Sequence, residues 1–162
     1  FAFTYPLMKR FTYWPQLFLG VTFNYGLILG WTSINNEINL IPIIFYIGAI
    51  FWTLGYDTIY GFQDIKDDEI IGLKSTSIKF KSKPNLFLNV CYLILLISLF
   101  AVGYFMKFNI FYFIFLIIIS FQLFYMQLKK LNTDSEHSCL KTFKSNNILG
   151  LIVYFSLIIG KI

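Results

Sequence analysis

Charged residues are scarce in this chain of 162 residues. They make up 13% of it, whereas a soluble domain carries roughly 25%. With so few charged side chains, a globule of this size cannot cover its surface with solvated groups. The composition therefore argues against a soluble enzyme, a disordered segment and a nucleic-acid-binding domain, although the net charge is +5.

Cysteine is also scarce, with only Cys91 and Cys139. Cys91 lies within an apolar run and Cys139 in a polar gap, so we expect two reduced thiols and no disulfide. The chain begins with Phe1 and has no pattern typical of a secretory signal peptide. We therefore expect it to be the C-terminal part of a longer protein.

Apolar sequence is abundant, at 57% of the chain. A transmembrane helix needs about 20 mostly apolar residues. Runs close to that length cover residues 16–34, 40–62, 86–106, 108–128 and 148–162, and residues 1–7 resemble the end of an earlier span. The alternation typical of membrane strands is missing, so the sequence predicts an all-α, polytopic bundle of transmembrane helices.

The polar gaps between these runs alternate in charge. All but two of the 13 basic residues lie in the gaps at 8–15, 63–85 and 129–147, and the exceptions are Lys107 and Lys161. Because basic loops stay in the cytoplasm, we predict that these three gaps face the cytoplasm and that the turn at 35–37 faces outward. Residues 1–162 are expected to form one transmembrane domain, the C-terminal part of a longer one.

The acidic residues are concentrated in one segment, because five of the eight lie between positions 57 and 69. If the helix of the second span continues past Phe62, Asp64 and Asp68 lie one turn apart on one face. Tyr60 and Asp57 then lie on the same stripe, further into the membrane. A solvated loop of mixed charge is the alternative, but an ionisable residue within a span is costly and usually functional.

Two carboxylates one turn apart repel each other unless a cation lies between them. Mg²⁺ prefers oxygen ligands and is typically held by one or two carboxylates together with substrate phosphates. Lys74 follows closely and is a point charge suited to a phosphate oxygen. The segment therefore predicts a diphosphate held through Mg²⁺ at the membrane surface.

Segment 56–76 begins Tyr-Asp-Thr and ends Gly-Leu-Lys-Ser-Thr. It resembles the second aspartate-rich motif of the UbiA superfamily of intramembrane prenyltransferases, in its 4-hydroxybenzoate polyprenyltransferase branch. Segments 5–16 and 139–150 resemble two further loops of that branch, so the resemblance covers essentially the whole chain. The family's first motif, Asn-Asp-x-x-Asp-x-x-x-Asp, is absent here, and we expect the chain alone to be inactive.

The resemblance implies about nine transmembrane helices, of which this chain supplies the last five. It also implies transfer of a polyprenyl group from polyprenyl diphosphate to the ring of 4-hydroxybenzoate in ubiquinone biosynthesis. Mg²⁺ held by Asp64 and Asp68 neutralises the diphosphate leaving group. Asp67 is an alternative ligand or a neighbour of a ligand, and Lys74 contacts phosphate.

Four further residues near the predicted cytoplasmic side are candidates with open roles. Arg10 suits the acceptor's carboxylate, the diphosphate, or an ordinary place as a membrane anchor. Lys9 is a substrate-binding candidate, although an anchor suits it better. Asp57 polarises the acceptor, orients Arg10 or bonds a neighbouring helix, and Tyr60 bonds a ligand or stabilises a cation with its ring.

The last polar gap contains three residues without an assigned role. His137 has no second ligand at metal spacing. Asn146 and Asn147 open the last predicted span, so they either cap its helix or reach the cavity.

Two alternatives to the 4-hydroxybenzoate enzyme stay open. One is a member of the same superfamily that acts on a naphthoate or a haem. The other is an ion-binding or transport protein, which should have carboxylates deep in several spans and broken helices. The expected partners are polyprenyl diphosphate, a small aromatic acid and the lipid bilayer, without nucleic acid. The expected location is a bacterial inner membrane, with the mitochondrial inner membrane as the alternative.

Overall fold

The chain folds into a bundle of long apolar helices. The computed structural model describes residues 5–162. Residues 1–4, which belong to the predicted end of an earlier span, lie outside it. The described part contains no strand, and five of its helical segments are long and apolar enough to cross a membrane. The predicted all-α, polytopic architecture is therefore confirmed.

The helices are, in chain order, α1 (Tyr5–Phe11), α2 (Pro15–Phe23), α3 (Tyr25–Asn35), α4 (Leu40–Gly61), α5 (Ile65–Ile71), α6 (Thr76–Lys79), α7 (Pro84–Phe105), α8 (Ile110–Ser120) and α9 (Glu136–Lys161). Between α8 and α9 the chain continues as a π-helix (Phe121–Gln127) and a 3₁₀ turn (Leu128–Lys130). The predicted turn at 35–37 lies between α3 and α4. Both cysteines are free, as predicted.

Four of the predicted spans agree with the structure to within a few residues, but the start of the fifth was wrong. Helix α9 begins at Glu136, twelve residues before the predicted start at 148. Its 26 residues extend about 39 Å, which exceeds a hydrocarbon core of about 30 Å. The polar first turns of the helix therefore lie outside the apolar layer, and hydropathy alone assigns them to a gap.

Helix α4 lies at the centre of the bundle and packs against α2, α7 and α9. Two glycines seven residues apart, Gly48 and Gly55, allow α7 to come close. A Cβ atom at Gly48 would overlap the side chain of Ser98, and one at Gly55 would overlap the ring of Tyr92. Small residues at a helix interface are typical of membrane bundles, because packing rather than water exclusion drives association there.

The first span is interrupted at Asn24, between α2 and α3. The Asn24 side-chain amide donates to the carbonyl of Gly20 at 2.8 Å, to the carbonyl of Ala49 at 3.2 Å and to the Thr53 hydroxyl at 2.8 Å. Because lipid offers no replacement partner, such bonds join the broken span to α4. The sequence predicted an unbroken helix here.

We expect Asn24→Leu to lower the free energy of unfolding by about 1–2 kcal/mol, because two hydrogen bonds from the first span to α4 are lost. Denaturation in detergent micelles measures the effect. Asn35→Leu is the matched control, because the Asn35 amide bonds only within its own helix at an exposed end. Equal stability of the two variants would contradict the role of Asn24.

Candidate active site

The acidic segment does not continue helix α4, which ends at Gly61. The amides of Phe62 and Gln63 bond back to the carbonyls of Ile59 and Tyr60 in a closing turn. Phe62 is buried in the core, and the next helix, α5, begins only at Ile65. The conditional prediction of one stripe from residue 57 to residue 68 was therefore wrong.

Asp64 and Asp68 nevertheless lie one helical turn apart. Asp64 immediately precedes α5, and its carbonyl accepts a hydrogen bond from the Asp68 amide at 2.9 Å. Asp64 and Asp67 are exposed, whereas Asp68 is buried, with 6% of its surface accessible. The structure thus keeps the predicted spacing of the pair but places the two carboxylates in different surroundings.

Lys9 of α1 contacts the buried carboxylate. Its Nζ atom donates to both oxygens of Asp68, at 3.1 Å and 3.4 Å. Asp57 is half-buried near the end of α4. The positive charge of Lys9 offsets part of the cost of taking the Asp68 carboxylate out of water. The sequence suggested an anchor role for Lys9 and gave no indication of this ion pair.

The segment that follows α5 turns back onto α1. Gly72 has a φ of 79°, a left-handed conformation that ends α5 and favours glycine. The Lys74 amide then donates to the Lys9 carbonyl at 2.7 Å. The Lys74 ammonium lies 5.7 Å from the centre of the Tyr13 ring. Lys74 and Lys9 are therefore held on adjacent segments beside the acidic pair.

Buried hydrogen bonds connect this loop to the membrane helices. The Gln16 side-chain oxygen accepts from the Thr76 amide at 3.0 Å, and the hydroxyls of Thr76 and Thr58 are 2.6 Å apart. The Ser77 hydroxyl donates to the Thr58 carbonyl at 2.9 Å. These bonds fix the loop with Lys74 to the start of α2 and to the end of α4.

The other predicted site residues lie around this cluster without joining it. Arg10 is exposed, and no described carboxylate forms an ion pair with it. Tyr60 is 40% exposed, and its ring centre is 4.8 Å from that of Phe143 in α9. Their predicted roles therefore stay predictions.

A cavity of about 260 Å³ opens further into the membrane, between α4 and α9. It is lined by Asn24, Trp52, Thr53, Tyr56, Phe143, Asn146, Asn147 and Phe23. Asn146 and Asn147 lie well inside α9, so the capping alternative was wrong and the cavity alternative is confirmed. The sequence signal for this cavity is the presence of polar residues, such as Asn24 and Asn146, within apolar segments, where polar side chains are costly and usually face the interior of a bundle.

Asn146 is the centre of a buried polar network that the sequence did not reveal. Its side-chain oxygen accepts from Trp52 Nε1 at 2.9 Å and from the Gln127 amide at 3.3 Å. Gln127 in turn accepts from the Tyr92 hydroxyl at 2.8 Å. The network joins α4, α7, α9 and the π-helix and sets the orientation of Trp52 in the cavity wall.

The donor set can be compared with what a divalent cation requires. Within residues 5–162, no group of three His, Cys, Asp or Glu side chains could hold a metal. The pair Asp64 and Asp68 remains, and Mg²⁺ is commonly held by one or two carboxylates that share it with substrate phosphates. The residues present fit that mode of binding, with Lys9 paired with Asp68 and Lys74 outside both described ion pairs.

The chain is similar in sequence to known proteins over nearly its whole length. The model of the UbiA prenyltransferase family matches residues 1–149. The chain is 39% identical over 158 residues to the protein named 4-hydroxybenzoate polyprenyltransferase, mitochondrial, from Drosophila melanogaster. That alignment covers 97% of this chain and 40% of the relative. The protein of the same name from Bos taurus is 39% identical, with 98% and 43% covered.

A plant relative, named 4-hydroxybenzoate geranyltransferase 2, from Lithospermum erythrorhizon, is 36% identical over 165 residues, with 100% of this chain and 53% of the relative covered. No solved structure gave a significant match. The chain belongs to the UbiA prenyltransferase family. It spans about half the length of these relatives or less. Prenyltransferases of this family are generally dependent on a divalent metal.

We expect Asn146→Ala to lower the free energy of unfolding by about 1–3 kcal/mol, because it leaves Trp52 Nε1 and the Gln127 amide without their acceptor. The fluorescence of Trp52 should also change as its indole loses a fixed partner. Asn147→Ala is the control, since Asn147 lines the same cavity but is exposed. Equal effects of the two substitutions would contradict the network.

Proposed function

We propose that the protein transfers a polyprenyl group from polyprenyl diphosphate to a ring carbon of 4-hydroxybenzoate, in ubiquinone biosynthesis. The observation that carries the proposal is the pair Asp64 and Asp68, one turn apart at the membrane-surface end of α4 and flanked by two lysines. The family membership and the names of the relatives support the reaction class and the acceptor.

The proposed location is a multi-pass position in an inner membrane. Five apolar helices support the multi-pass arrangement. The names of the insect and bovine relatives include the word mitochondrial, which favours the mitochondrial inner membrane. Family membership leaves the transport alternative without support.

In the proposed mechanism, the chain's own residues hold and neutralise the leaving group. Departure of diphosphate from an allylic carbon concentrates negative charge on the phosphate oxygens. Lys9 and Lys74 lie beside the acidic pair and bind these oxygens as point charges. Asp64 and Asp68, with Asp67 as an alternative, would hold Mg²⁺, which supplies Lewis-acid neutralisation of the diphosphate when bound.

The acceptor side of the proposed site lies deeper in the membrane. The cavity between α4 and α9 offers aromatic walls and amide groups to a small aromatic acid. Arg10 is proposed to bind the acceptor's carboxylate, because a guanidinium fork matches two carboxylate oxygens. Tyr60 and Asp57 lie between that cavity and the acidic pair along α4, where an aromatic ring and a carboxylate both stabilise a developing cation.

We expect Asp64→Asn and Asp68→Asn each to reduce Mg²⁺-dependent prenyl transfer by roughly 100-fold or more, because a carboxylate that faces the diphosphate is lost. Membrane insertion should not change, since both residues lie outside the apolar spans. Product formation is measured with radiolabelled 4-hydroxybenzoate in the full-length protein to which this chain belongs, because the chain alone is expected to be inactive. Asp134→Asn, in an exposed loop, is the control. Full turnover in both single variants would refute the ligand assignment.

We expect Arg10→Ala to raise the KM for 4-hydroxybenzoate roughly tenfold while the KM for the diphosphate changes less. Steady-state kinetics with each substrate varied in turn separates the two effects. Arg10→Lys preserves the charge but not the fork, and should recover only part of the loss. A larger effect on the diphosphate would assign Arg10 to the donor instead.

A further inference from the structure

A second polar pocket lies on the predicted cytoplasmic side, between the π-helix and the first turns of α9. Its volume is about 370 Å³. Its lining includes Gln122, Met126, Lys130, His137, Lys141 and Ser145. None of these residues has a role in the proposed prenyl transfer.

The π-helix helps to form this pocket. Gln122 and Met126 of the π-helix, with Lys130 of the 3₁₀ turn that follows it, form one wall. Segments of π-helix are rare and occur frequently at functional sites, because they cost hydrogen-bond geometry. The opposite wall is the start of α9, whose N-terminal dipole favours an anion.

The pocket is positively charged and contains no carboxylate. Neither described ion pair involves Lys130 or Lys141. The two nearby acidic residues, Asp134 in the preceding loop and Glu136 at the start of α9, line a different pocket beside Phe62. The charge of the two lysines is therefore available to an anionic ligand.

The pocket is separate from the candidate active site. At about 100° per residue, positions 137, 141 and 145 of α9 lie within an arc of roughly 80°. Phe143, Asn146 and Asn147, which line the cavity beside α4, lie on the opposite side of the helix. A ligand of this pocket would consequently not occupy the prenyl-transfer cavity.

An apolar strip continues from the pocket into the membrane. On the same face of α9, the positions after Ser145 are Ile148, Ile152 and Phe155. Ile148 is 59% exposed and Phe155 is 51% exposed. The face thus changes from basic to apolar along the helix at the depth where a lipid headgroup meets its acyl chains.

We propose that this pocket binds an anionic phospholipid, with the phosphate beside Lys130 and Lys141 and an acyl chain along the strip from Ile148 to Phe155. Basic pockets between membrane helices suit anionic headgroups. The exposed apolar strip favours a phospholipid over free phosphate, because free phosphate gains nothing from it. His137 lines the same pocket and supplies a hydrogen-bond donor to the headgroup oxygens.

Native mass spectrometry of the detergent-solubilised protein, titrated with phosphatidylglycerol, tests the proposal. We expect one lipid to bind more tightly than any later one, and its affinity to fall roughly tenfold in the double variant Lys130→Gln/Lys141→Gln. The matched control is Lys129→Gln/Lys144→Gln, which removes the same charge from the same face outside the pocket. It should retain the tight site.

Four outcomes would overturn the proposal. Equal loss of affinity in the two double variants would show diffuse surface attraction. Unchanged affinity in the pocket variant would show that the lipid lies elsewhere. Phosphatidylcholine that binds as tightly as phosphatidylglycerol would remove the role of charge. Displacement of the lipid by millimolar inorganic phosphate would show a site for the free anion.

Discussion

The structure depends on one constraint, which is that polar atoms inside an apolar bundle must find partners within the protein. Lipid offers neither donors nor acceptors, so each unpaired group costs free energy that packing alone does not return. Asn24 joins a broken span to α4, and Asn146 accepts hydrogen bonds from the indole of Trp52 and the amide of Gln127. These buried bonds fix the relative positions of the helices, and through them the walls of the cavity.

The same constraint shapes the acidic segment. Asp68 is buried at the membrane surface, and the ammonium of Lys9 satisfies both of its oxygens. The ion pair offsets part of the cost of burying this carboxylate at the position where the proposed chemistry requires it. Asp64 is exposed and depends less on such compensation.

The sequence predicted the helical membrane architecture and the spacing of Asp64 and Asp68, because both follow from local periodicity. The predicted second span ended at residue 62, close to the observed end of α4 at Gly61, but the sequence left open whether the helix continues into the acidic segment. The start of α9 was missed because a helix can extend beyond the apolar layer with polar turns. The pairing of Lys9 with Asp68 joins residues 59 positions apart, which no local pattern encodes.

The bond between the Lys74 amide and the Lys9 carbonyl uses only main-chain atoms. Replacement of either side chain, other than Lys74 by proline, preserves that tether. The geometry of the loop and the charges it presents are thereby controlled by different atoms. Substitution of one lysine would therefore change the charge of this surface while the main-chain bond keeps the loop in place.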